Sequence, residues 1–224
     1  MHICAITPIH IDDRELSRRR ARYEQLSPPG ITVSLQNLPG TSANPRQLAT
    51  PEDIQASDAA VAHALRELDP AEVDAGLPDC VLDPGLPARA SAAVPVYGIT
   101  ELSAGVTAAL GAPFTAVARN QAIADELDAV IARYGYRGFE ATRILDLSFE
   151  AIADHGVWND TVSALTKELA TTPVRRILNG CSAVDVRNDE TGVVVFDPTK
   201  LALETLGMAV RHGLVSSKAV ESRG

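Results

Sequence analysis

Short apolar runs alternate along this chain with longer segments that are apolar on one side. His2-Ile3-Cys4-Ala5-Ile6-Thr7 predicts a strand over 2–7, and the alternating, β-branched Ile31-Thr32-Val33-Ser34-Leu35 a second. Between them, 13–26 reads as a helix with acids at its start, where they favour the helix dipole. Residues 37–50, rich in Pro, Gly, Ser, Thr and Asn, form a long loop, a length often used for lids. Thr50-Pro51-Glu52-Asp53 opens the next helix, with Ile54, Val61, Leu65 and Leu68 as its apolar stripe. The segment before Cys80 is weak as a strand, because Gly76 and Pro78 interrupt it. Further strands are expected at 94–97, 114–118, 139–145 and 174–179, and helices at 100–110, 121–134 and 199–212. Trp158, Val162, Leu165 and Leu169 mark one more amphipathic helix. From Ser216 onward no pattern remains, and fraying is expected. Alternation of this kind predicts an α/β architecture with parallel sheets and right-handed crossovers.

The chain is organised around Val174-Arg175-Arg176-Ile177-Leu178-Asn179-Gly180-Cys181-Ser182-Ala183, an apolar run that stops at a Gly-Cys-small turn. A cysteine there would stand at the mouth of a sheet, where α/β proteins keep their sites. Cys80, in Leu77-Pro78-Asp79-Cys80-Val81-Leu82-Asp83-Pro84-Gly85-Leu86, lies 101 positions earlier. A second pair of segments repeats that spacing: Val94-Pro95-Val96-Tyr97-Gly98-Ile99-Thr100-Glu101 matches Val193-Val194-Val195-Phe196-Asp197-Pro198-Thr199-Lys200. Two similar lobes would place one cysteine on each side of a cleft; the alternative is chance likeness between two generic strand-helix units. The lobes are expected to divide as 1–97 plus 205–224, carrying Cys80, and 98–204, carrying Cys181.

Composition narrows the function. A formal net charge of −9 argues against a nucleic-acid or anionic-membrane surface. No apolar run is long enough to span a membrane. The first residues lack the basic and apolar regions of a signal peptide. Three widely spaced cysteines suit reduced thiols in a cytoplasm better than a disulfide framework. Neither a Gly-x-Gly-x-x-Gly after a strand nor a Walker-type loop is present, and no His/Cys cluster has zinc spacing. No cofactor and no metal is therefore expected, and the expected partner is a small-molecule substrate. A homo-oligomer is compatible with the chain.

Thiol chemistry remains. Cys80 and Cys181 both precede expected helix starts, which would favour their thiolates. Two such thiols on opposite faces of a carbon acid can remove a proton from one face and deliver one to the other. Cys4, inside a strand, reads as a small core residue. Arg18, Arg19, Arg20 and Arg22 read as a solvated helix face, with a substrate-carboxylate role for one of them as the alternative.

The chain resembles the aspartate/glutamate/hydantoin racemase superfamily, and within it the hydantoin and allantoin racemase branch. Cys80-Val81-Leu82-Asp83-Pro84-Gly85-Leu86 is similar to that branch's Cys-x-x-Asp-Pro-Gly-Leu turn. Leu178-Asn179-Gly180-Cys181-Ser182-Ala183 is similar to its second Gly-Cys turn, and Val96-Tyr97-Gly98-Ile99-Thr100-Glu101 to its Val-x-Gly-Ile-x-Glu segment. The resemblance implies two flavodoxin-like lobes with parallel sheets, related by a pseudo-two-fold axis, with the active site between them. It implies a cofactor-independent racemase or epimerase in which Cys80 and Cys181 exchange the roles of thiolate and thiol. The substrate would be hydantoin-like or amino-acid-like. Substrate contacts are expected from Pro8, His10, Asp83, Arg119, Asn120 and Ser182.

Several residues depart from the family's pattern. Its first strand typically ends Asn-Pro-Asn; here Thr7-Pro8-Ile9 is followed by His10. Asp79 precedes Cys80, and an adjacent carboxylate raises a thiol's pKa unless it points away. Asn179 replaces an apolar residue. Ala118-Arg119-Asn120 stands where hydroxyl donors are usual, and Arg119 reads either as a ligand for a carboxylate or ring carbonyl, or as a surface arginine. His155 reads as a loop residue or as a support for Cys181. The competing functions are a decarboxylase or cis–trans isomerase on the same scaffold, which can use one essential cysteine, and a catalytically inactive small-molecule binding protein.

Overall fold

Ile3, Ala5 and Ile6 have no exposed surface, because strand β1 (His2–Ile6) is the middle of a parallel sheet. The structure is a computed structural model and describes residues 1–150 and 155–215. On either side of β1 run β2 (Thr32–Gln36) and β3 (Ala75–Pro78), both parallel to it. A further parallel bridge from Gly76 to Val96 extends the sheet beyond β3. The strand expected over 94–97 is thus reduced to one bridge, since Pro95 has no N–H to continue a ladder.

Gly76 was an argument against β3, and the structure reverses it. A Cβ there would meet Leu65 and Leu68 at 2.8 and 2.9 Å, so glycine lets helix α2 (Pro51–Arg66) and the residues after it press onto the strand. Pro78 is tolerated as the last residue of its strand. Helix α1 (Asp13–Leu26) is capped by Asp12, whose carboxylate accepts from the Glu15 N–H at 2.8 Å. A capping box between Thr50 and Asp53 opens α2.

The second half repeats the plan. Helix α3 (Ile99–Ala109) leads to β4 (Thr115–Ala118), α4 (Gln121–Tyr134), β5 (Arg143–Ile144), α5 (His155–Leu169), β6 (Arg176–Asn179), β7 (Val194–Phe196) and α6 (Pro198–Arg211). The strand order is β5-β4-β6-β7, all parallel. It matches the order β2-β1-β3 followed by Val96 in the first sheet. Two parallel sheets with one strand order, flanked by helices, form the two flavodoxin-like lobes of an α/β protein. Helix α3 packs against α6, joining the halves. Residues from Ser216 and the side chain of His155 lie outside the described residues.

Asn179 is fully buried at the end of β6. Its Oδ1 accepts from Trp158 Nε1 at 2.9 Å, and its Nδ2 donates to the carbonyls of Cys181 and Val184 at 2.9 and 3.1 Å. A polar residue in an apolar strand is here the internal brace of the Cys181 turn. Gly180 follows it because a Cβ there would drive into the Val117 carbonyl of the neighbouring strand.

Candidate active site

Both cysteine turns begin where a strand ends. Asp79 leaves β3 with its N–H still donating to the Ile6 carbonyl at 2.8 Å, and Cys80 follows. The Leu82 N–H donates to Cys80 Sγ at 3.5 Å. Cys181 takes the matching position after β6, and the two sulfur-bearing residues line one cavity of about 70 Å³ between the sheets. Cys4 is not among its lining residues; it packs with Ile6, Val61 and Leu65 in a separate core.

The cysteine environments differ from the expected one. The short 3₁₀ helix Leu86–Ser91 begins six positions after Cys80, and turns rather than a helix follow Cys181. Neither thiol therefore stands at the start of a helix that follows it in the chain. Burial pushes the Cys80 thiol up to about 12, aided by the nearby Asp79, and the Leu82 N–H opposes this only in part. Burial also raises Cys181, against the pull of the Arg19 guanidinium and the Ala183 N–H.

Beneath the cavity lies a charge network built by α1. Arg19 donates to Glu15 at 2.8 Å and to Asp79 at 2.9 Å, and Tyr23 donates its hydroxyl to Asp79 at 2.8 Å. Asp79 is thereby turned towards a guanidinium and a phenol. Burial works against ionised Glu15, but hydrogen bonds from Arg18 and Arg19 prevail and hold it at about 2. Arg18 Nη2 donates to the Ala183 carbonyl at 2.8 Å. Arg22 donates to the carbonyls of Ser182 and Val184 at 3.2 and 3.3 Å and pairs with Asp197 at 2.6 Å. The solvated arginine face expected for this helix is corrected: Arg19 and Arg22 are buried, Arg19 on Glu15 and Asp79, while Arg18 and Arg22 bind the Cys181 turn.

Of the other expected contacts, Pro8, Arg119 and Ser182 line the cavity with the cysteines. His10, Asp83 and Asn120 are not among the lining residues, and each has a structural partner. His10 Nδ1 bonds the Leu38 carbonyl at 2.8 Å and so anchors the loop over 37–50. Asp83, in a left-handed conformation at φ 47°, accepts from the N–H groups of Thr100 and Glu101 at 3.1 and 2.8 Å, and from the Tyr134 hydroxyl at 2.8 Å. It caps α3. Burial raises its carboxyl to about 7 despite those donors. Asn120 caps α4 through the Ile123 N–H at 2.9 Å and donates to the Leu48 carbonyl at 3.0 Å.

Sequence reasoning missed Arg19, Leu48 and Phe149 as lining residues. The signal for Arg19 was present: residues 15, 18, 19 and 22 share one helix face, and a carboxylate among arginines on one face signals pairing. Leu48 and Phe149 sit in loops with no periodic pattern. Among the described residues no His/Cys/Asp/Glu group could hold a metal ion, and no helix is long and apolar enough to cross a membrane.

Two parallel-sheet lobes with a cysteine from each at a shared cavity define a two-lobed α/β protein with a paired-thiol cleft. The model of the Asp/Glu/Hydantoin racemase family matches residues 20–206, and the chain belongs to that family and with it to the isomerases. Comparison with curated proteins gives no match. Among solved structures, allantoin racemase from Pseudomonas fluorescens superposes with a TM-score of 0.80 at 19% identity, covering 97% of this chain and 94% of that one. Allantoin racemase from Klebsiella pneumoniae gives 0.75 at 21%, covering 97% and 91%. The maleate isomerase Iso from Pseudomonas putida S16 gives 0.62 at 19%, covering 95% and 93%.

Proposed function

We propose that this protein is a cofactor-independent racemase or epimerase that inverts a carbon-acid stereocentre with Cys80 and Cys181. The substrate class is hydantoin-like or amino-acid-like. The observation that carries the reading is the approach of the two thiols to one cavity from opposite lobes.

In the forward direction the C–H bond at the stereocentre breaks and its proton passes to a thiolate, leaving the electron pair delocalised into the adjacent carbonyl. The opposing thiol then gives its proton to the other face, and becomes the thiolate of the reverse reaction. Burial supports this chemistry. A thiolate in a dry site is a stronger base than one in water, and a dry cavity keeps solvent protons from the carbanion. Arg19 and the Ala183 N–H oppose the rise that burial imposes on Cys181, whereas Asp79 and Asp83 add to the rise on Cys80, so Cys181 is the more readily ionised of the pair.

The lobe division we propose is 1–97 plus 205–224 and 98–204; the sheets support its middle boundary, with β1–β3 and Val96 on one side and β4–β7 on the other. Cytoplasmic placement is part of the same reading, because Cys4, Cys80 and Cys181 are all free thiols.

The test is circular dichroism of enantiopure hydantoins, allantoin and acidic amino acids incubated with the protein. Decay of optical activity towards zero is expected for one class and should vanish in both Cys80→Ala and Cys181→Ala. Failure to invert any member, or inversion that survives both substitutions, would sink the proposal.

A further inference from the structure

Leu48, Cys80 and Leu82 line two cavities at once. One is the cavity of about 70 Å³ that holds both thiols. The other, of about 250 Å³, is lined by Pro51, Ile54 and Asp58 of α2 and by Glu126 and Arg133 of α4. Leu48, Cys80 and Leu82 are the whole overlap of the two linings. They form a neck that contains Cys80, whereas Cys181 lines the inner cavity alone.

The neck is held in place by the loop over 37–50. Leu48, near the end of that loop, is buried, and its carbonyl accepts from Arg119 Nη2 at 2.9 Å and Asn120 Nδ2 at 3.0 Å. The loop of one lobe is thus latched to the end of β4 in the other. His10 fixes the rest of it, through its ring on the Leu38 carbonyl and its N–H on the Pro45 carbonyl at 3.2 Å. Leu82 is buried as well, so two aliphatic side chains and a thiol make the neck. The floor beyond it is apolar too. Pro84 has no N–H to offer, and the Ser57 hydroxyl is committed to the Pro8 carbonyl at 2.6 Å. Asp58 accepts from the Gly85 N–H at 2.8 Å. Polar groups gather at the rim, where Gln55 and Arg133 are exposed and Arg133 pairs with Glu126 at 3.4 Å.

We propose that the two cavities are one substrate site, in which the inverted carbon lies between the thiols and an unbranched apolar arm on it passes the neck into the outer cavity, with Leu48 setting which arms are admitted. The inference rests on the inner cavity being the catalytic site and narrows its substrate class. At about 10–15 Å³ per water, the inner cavity holds only a handful of waters, room for the acidic centre and little more. Each methylene moved from water onto the floor of the outer cavity adds affinity. A branched arm would have to push Leu48 and Leu82 aside, and a close-packed wall resists that.

The probes are methyl, butyl and hexyl methanethiosulfonate. The attacking thiolate bonds to the alkyl-bearing sulfur, and methanesulfinate leaves with the electron pair of the broken S–S bond, so the alkyl tail stays on the labelled cysteine. Initial rates on the full-length protein are read by peptide mapping at about pH 9, where thiolates are supplied. Each is divided by the same thiol's rate with the methyl reagent, which removes differences in ionisation, and corrected by the same ratio for free cysteine. In wild type the hexyl tail should slow Cys181 at least about 10-fold, because it must overfill the inner cavity. Cys80, whose tail can enter the outer cavity, should be slowed far less. Leu48→Ala should lift the penalty at Cys181. Ile54→Trp, which fills the outer cavity from α2, should impose one on Cys80. Equal or reversed dependence on tail length at the two thiols of wild type would overturn the proposal. So would an Ile54→Trp protein in which Cys80 still takes the hexyl tail at the wild-type rate. Should either variant not fold, the wild-type comparison still decides. Labelling needs no turnover, so this outcome is independent of whether any tested substrate is racemised.

Discussion

The Ser182 hydroxyl donates to the Asp79 carbonyl at 2.9 Å, binding the turn that carries Cys181 to the turn that carries Cys80. Both residues are buried, so the carbonyl has no water to fall back on. The spacing of the two thiols is therefore set by a direct bond between their turns, reinforced by Arg18 and Arg22 on the 182–184 carbonyls. Ser182→Ala should lower stability by about 1 kcal/mol, or about 2–4 °C in the unfolding midpoint. It should slow the proposed inversion by a larger factor than that loss of stability accounts for, because the thiols are no longer fixed. Calorimetry together with the inversion rate checks this, and an unchanged midpoint and rate would show the bond to be idle.

Alkylation should follow the order Cys181, Cys80, Cys4. Cys181 is the most exposed of the three, and Arg19 and the Ala183 N–H oppose its upward shift. Cys80 is buried and pushed to about 12, and Cys4 lies in a core away from the cavity. Because burial raises both cavity thiols, their labelling by iodoacetamide should still climb steeply above neutral pH. Peptide mapping at several pH values reads the order directly. Arg19→Met should move the Cys181 profile to higher pH; a profile that stays put would remove Arg19 from the thiol's environment.

Most of the architecture was legible because it depends on periodicity. The helices 13–26 and 121–134 were read to the residue, since caps and apolar stripes coincide there. The Cys80 and Cys181 turns were legible because strand, small residues and cysteine recur at nearly half the chain's length. What could not be read was reach. Nothing in Arg18 and Arg22 as a local pattern tells whether they meet water or the other lobe; that is decided by residues more than 150 positions away. The structural partners of Asp83 and His10 were illegible for a related reason. A polar residue near a cysteine turn looks like a ligand, whereas Asp83 accepts from the start of α3 and His10 bonds the Leu38 carbonyl.

Asp83 should leave a signature in the pH dependence of stability. Its carboxyl is raised to about 7 in the folded protein and lies near 3.9 in the unfolded chain. The folded state thus holds a proton that the unfolded state has lost throughout that window. Its stabilising contribution is full below about pH 4 and disappears as pH rises through about 7. Glu15, held at about 2, acts in a separate window and in the opposite sense, losing its contribution as pH falls through about 2. Asp83→Asn, neutral at every pH and of the same shape, should flatten the decline between pH 5 and 8. Urea unfolding at those two values measures it. An equal decline in both proteins would mean that the capped carboxylate is already ionised at pH 5.

The proposed mechanism makes its sharpest demand on the two single mutants. Each thiolate can reach one face of the stereocentre, so Cys80→Ala and Cys181→Ala should both abolish inversion of any substrate the wild type inverts. Each mutant nevertheless keeps one base. In deuterated water the Cys80 mutant should wash deuterium into one enantiomer with retention, and the Cys181 mutant into the other. The rates should not be equal: Cys181, beside Arg19, is the thiol more easily ionised, so the Cys80 mutant should exchange at the lower pH. Serine in either position should not rescue inversion, because a hydroxyl is far too weak an acid to supply its anion near neutral pH. Proton NMR of each pure enantiomer with each mutant gives both the side and the rate. Exchange of the same enantiomer by both mutants would place the thiols on one face and leave inversion without its second base.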